Sequence, residues 1–171
     1  MIAEYGASLF KNFKGVTSNT MNHLMQKEGV SGGEIKGCHD NATFIRELTS
    51  NSQSTSSGMP HPLGKILSTE KHPTNGQVIR YSYKLFVRES TGKIQEPPTL
   101  STSTKIPTKT VMDGLAGNLT YWKNVGQLAI IRAIRLKQLN AGTAKFQVEA
   151  FGMTIEGFLR NGEAHTFYIT W

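Results

Sequence analysis

The chain has 171 residues, of which 37% are hydrophobic, and a formal net charge of +7. This length predicts one domain with a single core, and no apolar run approaches the roughly 18 residues that a membrane-spanning helix requires. Cys38 is the single cysteine, which excludes an internal disulfide framework and indicates a reducing compartment.

The positive charge is concentrated in the middle of the chain. Residues 65–137 contain 12 Lys or Arg and 4 Asp or Glu, a balance of +8, whereas the remaining residues sum to −1. A basic region of this kind indicates a polyanionic partner, either nucleic acid or an anionic membrane surface. The alternative is a solvated surface that only keeps the protein soluble.

Residues 1–58 are predicted to form an N-terminal helical segment followed by mobile loops rich in Gly and Ser. A second short helix is expected to end at Lys27. Residues 29–37 are expected to form a turn region, and residues 49–58 are expected to form an exposed polar loop. The apolar residues of the first helix recur at helical spacing, which favours either core packing or a surface for self-association or membrane contact. These residues are Ile2, Tyr5, Leu9, Phe10 and Phe13.

Residues 59–171 are predicted to form an α+β core. Residues 77–88 alternate between an apolar and a basic face, which predicts a strand. A long connection rich in Pro, Ser and Thr follows over residues 89–109. Thr110 and Asp113 match a capping box, which predicts a helix from there to Gly126. The branched residues after Gly126 favour another strand, ending near Leu139.

The last 29 residues give the clearest pattern, three strands over residues 143–151, 153–160 and 164–171. Asn161 and Gly162 tolerate the positive φ of a type I′ turn, so they predict a tight hairpin between the last two strands. We therefore expect an antiparallel β-sheet of about four to five strands with helices packed on one face.

No residue pattern indicates catalysis or metal binding. The five histidines never recur at helical spacing, and Cys38, His39 and Asp40 are neighbours in the chain, which does not let their side chains converge. We therefore predict a protein that is not an enzyme, with no catalytic residue, no cofactor and no metal ligand. The candidate membrane- or nucleocapsid-binding basic face consists of Arg80, Lys84, Arg88, Lys105, Lys109, Arg132, Arg135 and Lys137.

The layout of residues 77–160 resembles that of a known family. An apolar strand ends in LFVRES at residues 85–90, and a Pro/Thr-rich connection leads to DGLAG at residues 113–117 and to Tyr121 and Trp122. A hydrophobic segment and a β-rich C-terminal part follow. This order is similar to that of rhabdovirus matrix proteins, and the small size and basic charge resemble the plant-infecting, cytorhabdovirus-like members. The sequence PPTL at residues 97–100 lacks the tyrosine of the budding motif found in animal-virus members.

The resemblance implies a viral structural protein that self-associates, condenses the nucleocapsid and links it to the inner face of the envelope membrane. Its expected partners are copies of itself, the viral nucleoprotein–RNA complex, an anionic membrane surface and a viral glycoprotein tail. Its expected locations are the virion, the host cytoplasm and the cytoplasmic face of host membranes.

The alternative function is single-stranded nucleic-acid binding, as in a capsid-like viral protein or a silencing suppressor. Tyr81, Tyr83 and Phe86 interleave with basic residues, and aromatic rings can stack on bases while cations hold phosphates. Tyr81 and Tyr83 also share the apolar face of their strand, which favours a place in the core.

Overall fold

The computed structural model describes residues 13–139 and 145–171, which form three α-helices and ten strands. The helices are α1 (Ser18–Met25), α2 (Asn41–Thr49) and α3 (Leu119–Arg135), the last preceded by a 3₁₀ turn at Ala116–Asn118. The strands are β1 (Lys27–Ser31), β2 (Glu34–Gly37), β3 (Gln53–Ser54), β4 (Pro60–His61), β5 (Gly64–Lys71), β6 (Val78–Leu85), β7 (Thr108–Met112), β8 (Lys145–Ala150), β9 (Met153–Arg160) and β10 (Glu163–Thr170).

The strands pair antiparallel in four small sheets. Two sheets have three strands, in the orders β5–β6–β7 and β8–β9–β10, and two are the hairpin-like pairs β1–β2 and β3–β4. The α+β class is confirmed, with the strands divided among these small sheets where one sheet of four to five strands was expected.

The larger core lies between the β8–β9–β10 sheet and two helices. Phe146, Ile155 and Phe167 are buried on one face of this sheet, together with Leu24 of α1 and Trp122 of α3. The alternation predicted for the C-terminal strands is confirmed, because each of the three strands buries every second side chain over most of its length.

The hairpin between β9 and β10 is also confirmed. Asn161 and Gly162 have φ angles of 52° and 77°, the left-handed values that a type I′ turn requires at both central positions. The turn therefore sets the register in which β10 lies against β9.

The smaller core lies under the β5–β6–β7 sheet. Tyr81 and Tyr83 of β6 are buried with Phe44 and Leu48 of α2, and the Tyr83 hydroxyl accepts a hydrogen bond from the Ile35 backbone N–H at 2.9 Å. The strand predicted over residues 77–88 is confirmed from Val78 to Leu85, and its two tyrosines belong to the core.

The prediction for the region between β7 and β8 was wrong in two respects. Thr110 lies inside strand β7 and caps no helix, and residues 127–135 continue α3 where a strand was expected. Gly126 does not end the helix; its missing side chain lets α3 approach the ring of Phe167 closely. This contact with the sheet outweighs the weak preference of branched residues for strands.

The described part of the N-terminal segment packs with the rest of the chain. Val16 and Leu24 belong to the larger core and Phe44 and Leu48 to the smaller one, so residues on both sides of the predicted boundary at 58/59 share both cores. Phe13 is half-buried against the larger core. The other members of the predicted self-association helix, Ile2, Tyr5, Leu9 and Phe10, lie outside the described residues.

The Ser/Thr-rich segment at residues 49–58 contacts the long connection that follows β6. Thr55 is buried, the Ser56 hydroxyl donates to Glu89 Oε1, and the Ser57 backbone N–H donates to Glu96 Oε1 at 2.9 Å. Ile94, in the same connection, is fully buried. The prediction that this segment is an exposed loop is therefore wrong at Thr55.

Candidate binding surfaces and cleft

The eight basic residues predicted to form one face lie in three different environments. Arg80 is engaged within the protein: its Nη1 donates to the backbone oxygen of Trp171 at 2.6 Å, and its Nη2 donates to Glu70 Oε2 at 2.5 Å. Its guanidinium group also lies 4.4 Å from the centre of the Trp171 ring. Arg80 thus connects β6 to Trp171, and Glu70 offsets much of its positive charge, so it is poorly placed to bind a partner.

A second group is partly engaged. Lys84 Nζ donates to the Ser103 backbone oxygen at 2.9 Å, and Arg88 Nη2 donates to Gln53 Oε1 at 3.3 Å. Lys105 forms an ion pair with Glu34 at 2.9 Å, and this contact is the main cause that lowers the pKa of Glu34.

Lys109 shares the first environment with Arg80, because its charged group is also engaged within the protein. Its Nζ donates to the backbone oxygen of Gly37 at 2.9 Å, and burial lowers its pKa from 10.5 to about 8. An ammonium group held in this way stabilises the β1–β2 pair against β7 and is poorly placed to meet a large anionic surface.

Arg132, Arg135 and Lys137 form the third group, at the C-terminal end of α3. All three are exposed, and within residues 13–139 and 145–171 no carboxylate lies within 4.0 Å of their charged groups. They are therefore available to an external anion.

A Schellman motif fixes Lys137 at this end of the helix. Its backbone has a φ of 61°, its N–H donates to the Ile134 carbonyl at 3.0 Å, and the Gln138 N–H donates to the Ala133 carbonyl at 3.0 Å. The left-handed residue that ends the helix thus carries a positive charge where glycine is usual, and this charge also complements the helix dipole.

The outer side of α3 combines these cations with apolar groups. The sequence from Leu119 to Leu139 contains no Asp or Glu. Tyr121 and Leu128 are 43% and 47% exposed, and Arg132 and Arg135 follow them at helical spacing on the same side. We call this set the α3 surface; it consists of Tyr121, Leu128, Arg132, Arg135, Leu136 and Lys137.

A cleft of about 690 Å³ separates the β5–β6–β7 sheet from β10. Its walls include Arg80, Lys109, Tyr168 and His39, whose ring stacks on Tyr168 with 6.0 Å between ring centres. His39 Nδ1 lies 2.9 Å from the Thr110 carbonyl oxygen, so Nδ1 carries the proton and donates. Burial lowers the pKa of His39 to about 3, which keeps the ring neutral.

The neighbours Cys38, His39 and Asp40 make separate contacts. Cys38 is buried, and burial raises its pKa to about 12. Asp40 caps α2 by accepting the Thr43 backbone N–H at 3.0 Å, while His39 faces Thr110. The three side chains are thus each used in the packing of a different element.

One cluster was missed by the sequence analysis. His23 of α1, Glu28 of β1 and His165 of β10 place one potential ligand atom each within 4.8 Å of the others. The two histidines come from opposite ends of the chain, so no local spacing could have predicted their contact.

Comparison with known proteins adds no family assignment: neither a protein-family model nor a curated protein sequence matches this chain. Among the described residues, none of the helices combines the length and the apolar character needed to cross a bilayer.

Proposed function

We propose that the protein is a matrix-type viral structural protein that acts by adhesion, without catalysis. It self-associates, condenses the nucleocapsid and links it to the inner, anionic face of the envelope membrane. The observation that supports this proposal is the α3 surface, where three exposed cations lie beside exposed apolar side chains and have no acidic partner in the part of the chain that the structure describes.

The chemistry of this surface suits a membrane interface. Each Lys or Arg near an anionic leaflet contributes about 1 kcal/mol, and an apolar side chain such as Leu128 or Leu136 gains further free energy when it enters the headgroup region. Because helix α3 has no acidic residue, no part of it is repelled by anionic lipid.

The affinity of a single copy is expected to be modest. Three cations contribute about 3 kcal/mol in total, which alone corresponds to weak binding. Self-association would present many such surfaces at once, and the resulting avidity would hold the membrane and the nucleocapsid together.

The competing function, single-stranded nucleic-acid binding, has less support. Tyr81 and Tyr83, two of the three aromatic residues first considered for base stacking, are both 7% exposed or less. The third, Phe86, is half-buried and its ring packs edge-on against His61. Stacking on bases requires open ring faces, so β6 does not provide the platform that this function needs.

A flotation experiment with vesicles tests the proposal. We expect the protein to float with vesicles that contain phosphatidylserine and to remain unbound with neutral phosphatidylcholine vesicles, and we expect salt to weaken the binding because the attraction is electrostatic. The same preparation should be titrated with single-stranded RNA. Tight RNA binding with a steep salt dependence, together with no flotation, would support the competing function and contradict ours.

A further inference from the structure

We propose that His23, Glu28 and His165 form a binding site for one divalent transition-metal ion of the zinc type. The proposal depends on the way in which three separate elements bring these side chains together, and it is independent of the α3 surface.

Each ligand comes from a different part of the fold. His23 lies in the last turn of α1, Glu28 in β1 and His165 in β10. His23 Nδ1 is hydrogen-bonded to Glu28 Oε1, and the rings of His23 and His165 have their centres 4.7 Å apart. The three candidate ligand atoms therefore lie within 4.8 Å of one another.

Both strand residues lie at β-bulges. The pairing of β1 with β2 shifts between Lys27 and Gly29, which leaves Glu28 as the extra residue. The pairing of β10 with β9 shifts between Ala164 and Thr166, which leaves His165 in the same position. A bulge bends its strand and redirects the side chain, and bulges are enriched beside functional sites.

The ligand set has the chemistry of a zinc site. Imidazole nitrogens bind zinc at about 2.0–2.1 Å and carboxylate oxygens at about 2.0–2.2 Å, so tetrahedral ligand atoms lie roughly 3.4 Å apart. The described ligand atoms lie within 4.8 Å of one another. Zinc binding would require the side chains to rotate, so that the hydrogen-bonded atoms of His23 and Glu28 move apart and the widest pair moves closer. Glu28 has room to rotate because its side chain is 43% exposed.

The fourth position of the metal would face solvent. The cluster lies between the cleft of about 690 Å³ and a second hollow of about 370 Å³, lined in part by Lys14, Asn19 and Asn161. Three protein ligands and one accessible position leave room for a water molecule. The bound ion would join α1, β1 and β10, and it would therefore stabilise the folded protein.

Titration of the full chain with Zn²⁺ in a calorimeter tests the proposal. We expect one ion per chain and a rise in Tm when zinc is added, since only the folded state assembles the site. His23→Gln, Glu28→Gln and His165→Gln should each weaken zinc binding by at least about tenfold and remove the rise in Tm. The matched control is His61→Gln, which removes a histidine of β4 outside the cluster.

The circular dichroism of each variant without metal shows whether it is folded. Should a histidine variant fail to fold, Glu28→Gln decides, because its side chain is partly exposed and the amide retains the shape of the carboxylate. The proposal would be overturned by absence of zinc binding in the natural chain, by unchanged binding in Glu28→Gln, or by an equal loss in His61→Gln.

Discussion

At the scale of single residues, the ammonium group of Lys109 shows how burial changes what a charged side chain does. Its hydrogen bond to the Gly37 carbonyl oxygen compensates only part of the cost of removing the charge from water. The pKa of Lys109 therefore falls to about 8. The contact that Lys109 makes between β7 and β2 thus has a desolvation cost, and this cost depends on pH.

Replacement of Lys109 by Met should change how stability depends on pH. Between pH 8 and 10.5 the unfolded chain keeps the proton on Lys109 while the folded chain releases it, so this residue increases stability as pH rises through that range. The natural chain should gain on the order of 2–3 kcal/mol relative to Lys109→Met across the range, measured by urea unfolding at each pH.

The comparison with the variant is needed because Cys38 acts in the opposite direction. Its pKa is raised from 9.0 to about 12, so above pH 9 the unfolded chain loses the thiol proton first and stability falls in both proteins. If the free energy of unfolding changed with pH in the same way in the natural chain and in Lys109→Met, the described burial of the Lys109 ammonium group would be contradicted.

At the scale of the elements, helix α3 depends on its close approach to β10. A Cβ built on Gly126 would lie 2.5 Å from the ring of Phe167, which is fully buried and cannot move aside. The glycine therefore permits the packing that keeps the α3 surface pointing outward.

Gly126→Ala should destabilise the protein, although alanine favours helices by about 1 kcal/mol over glycine. The clash with Phe167 should cost more than that gain, on the order of 2–3 kcal/mol, because the ring is fully buried. Gly117→Ala is the control, since no atom of the described residues lies within 4 Å of its Cβ position, and its substitution should be neutral or slightly stabilising. Thermal unfolding compares the two; a higher Tm for Gly126→Ala than for Gly117→Ala would contradict the described packing.

The elements also show which parts of the fold could be predicted from sequence. The strands β6, β8, β9 and β10 were predictable because alternation and the Asn161–Gly162 turn are local signals. The second half of α3 was not, because its helical state depends on contact with Phe167, more than 30 residues further along the chain.

The candidate sites likewise divide into features that depend on local sequence and features that depend on tertiary contacts. The cations of Arg132, Arg135 and Lys137 could be identified because charge is a property of composition, and all three are exposed. The engagement of Arg80 with Trp171 and the meeting of His23 with His165 depend on tertiary structure. A sequence without an alignment contains no signal for such distant pairs.

At the scale of the whole molecule, the charge that can act on a partner is smaller and more localised than the net charge of +7 suggests. Arg80 and Lys105 have acidic partners, and Lys109 is enclosed. Within residues 13–139 and 145–171, the α3 surface places three exposed cations that have no carboxylate within 4.0 Å beside exposed apolar side chains. Adhesion should therefore depend on the position of the charge more than on its total.

The most direct test compares two triple variants with the same change in net charge. Arg132→Glu/Arg135→Glu/Lys137→Glu reverses the cations of the α3 surface, and Lys65→Glu/Lys71→Glu/Lys93→Glu reverses three exposed lysines elsewhere. Affinity for phosphatidylserine vesicles should fall roughly a hundredfold or more in the first variant, because each lost cation contributes about 1 kcal/mol to binding. The affinity of the second variant should fall much less. An equal loss in both variants, or none in the first, would contradict the account.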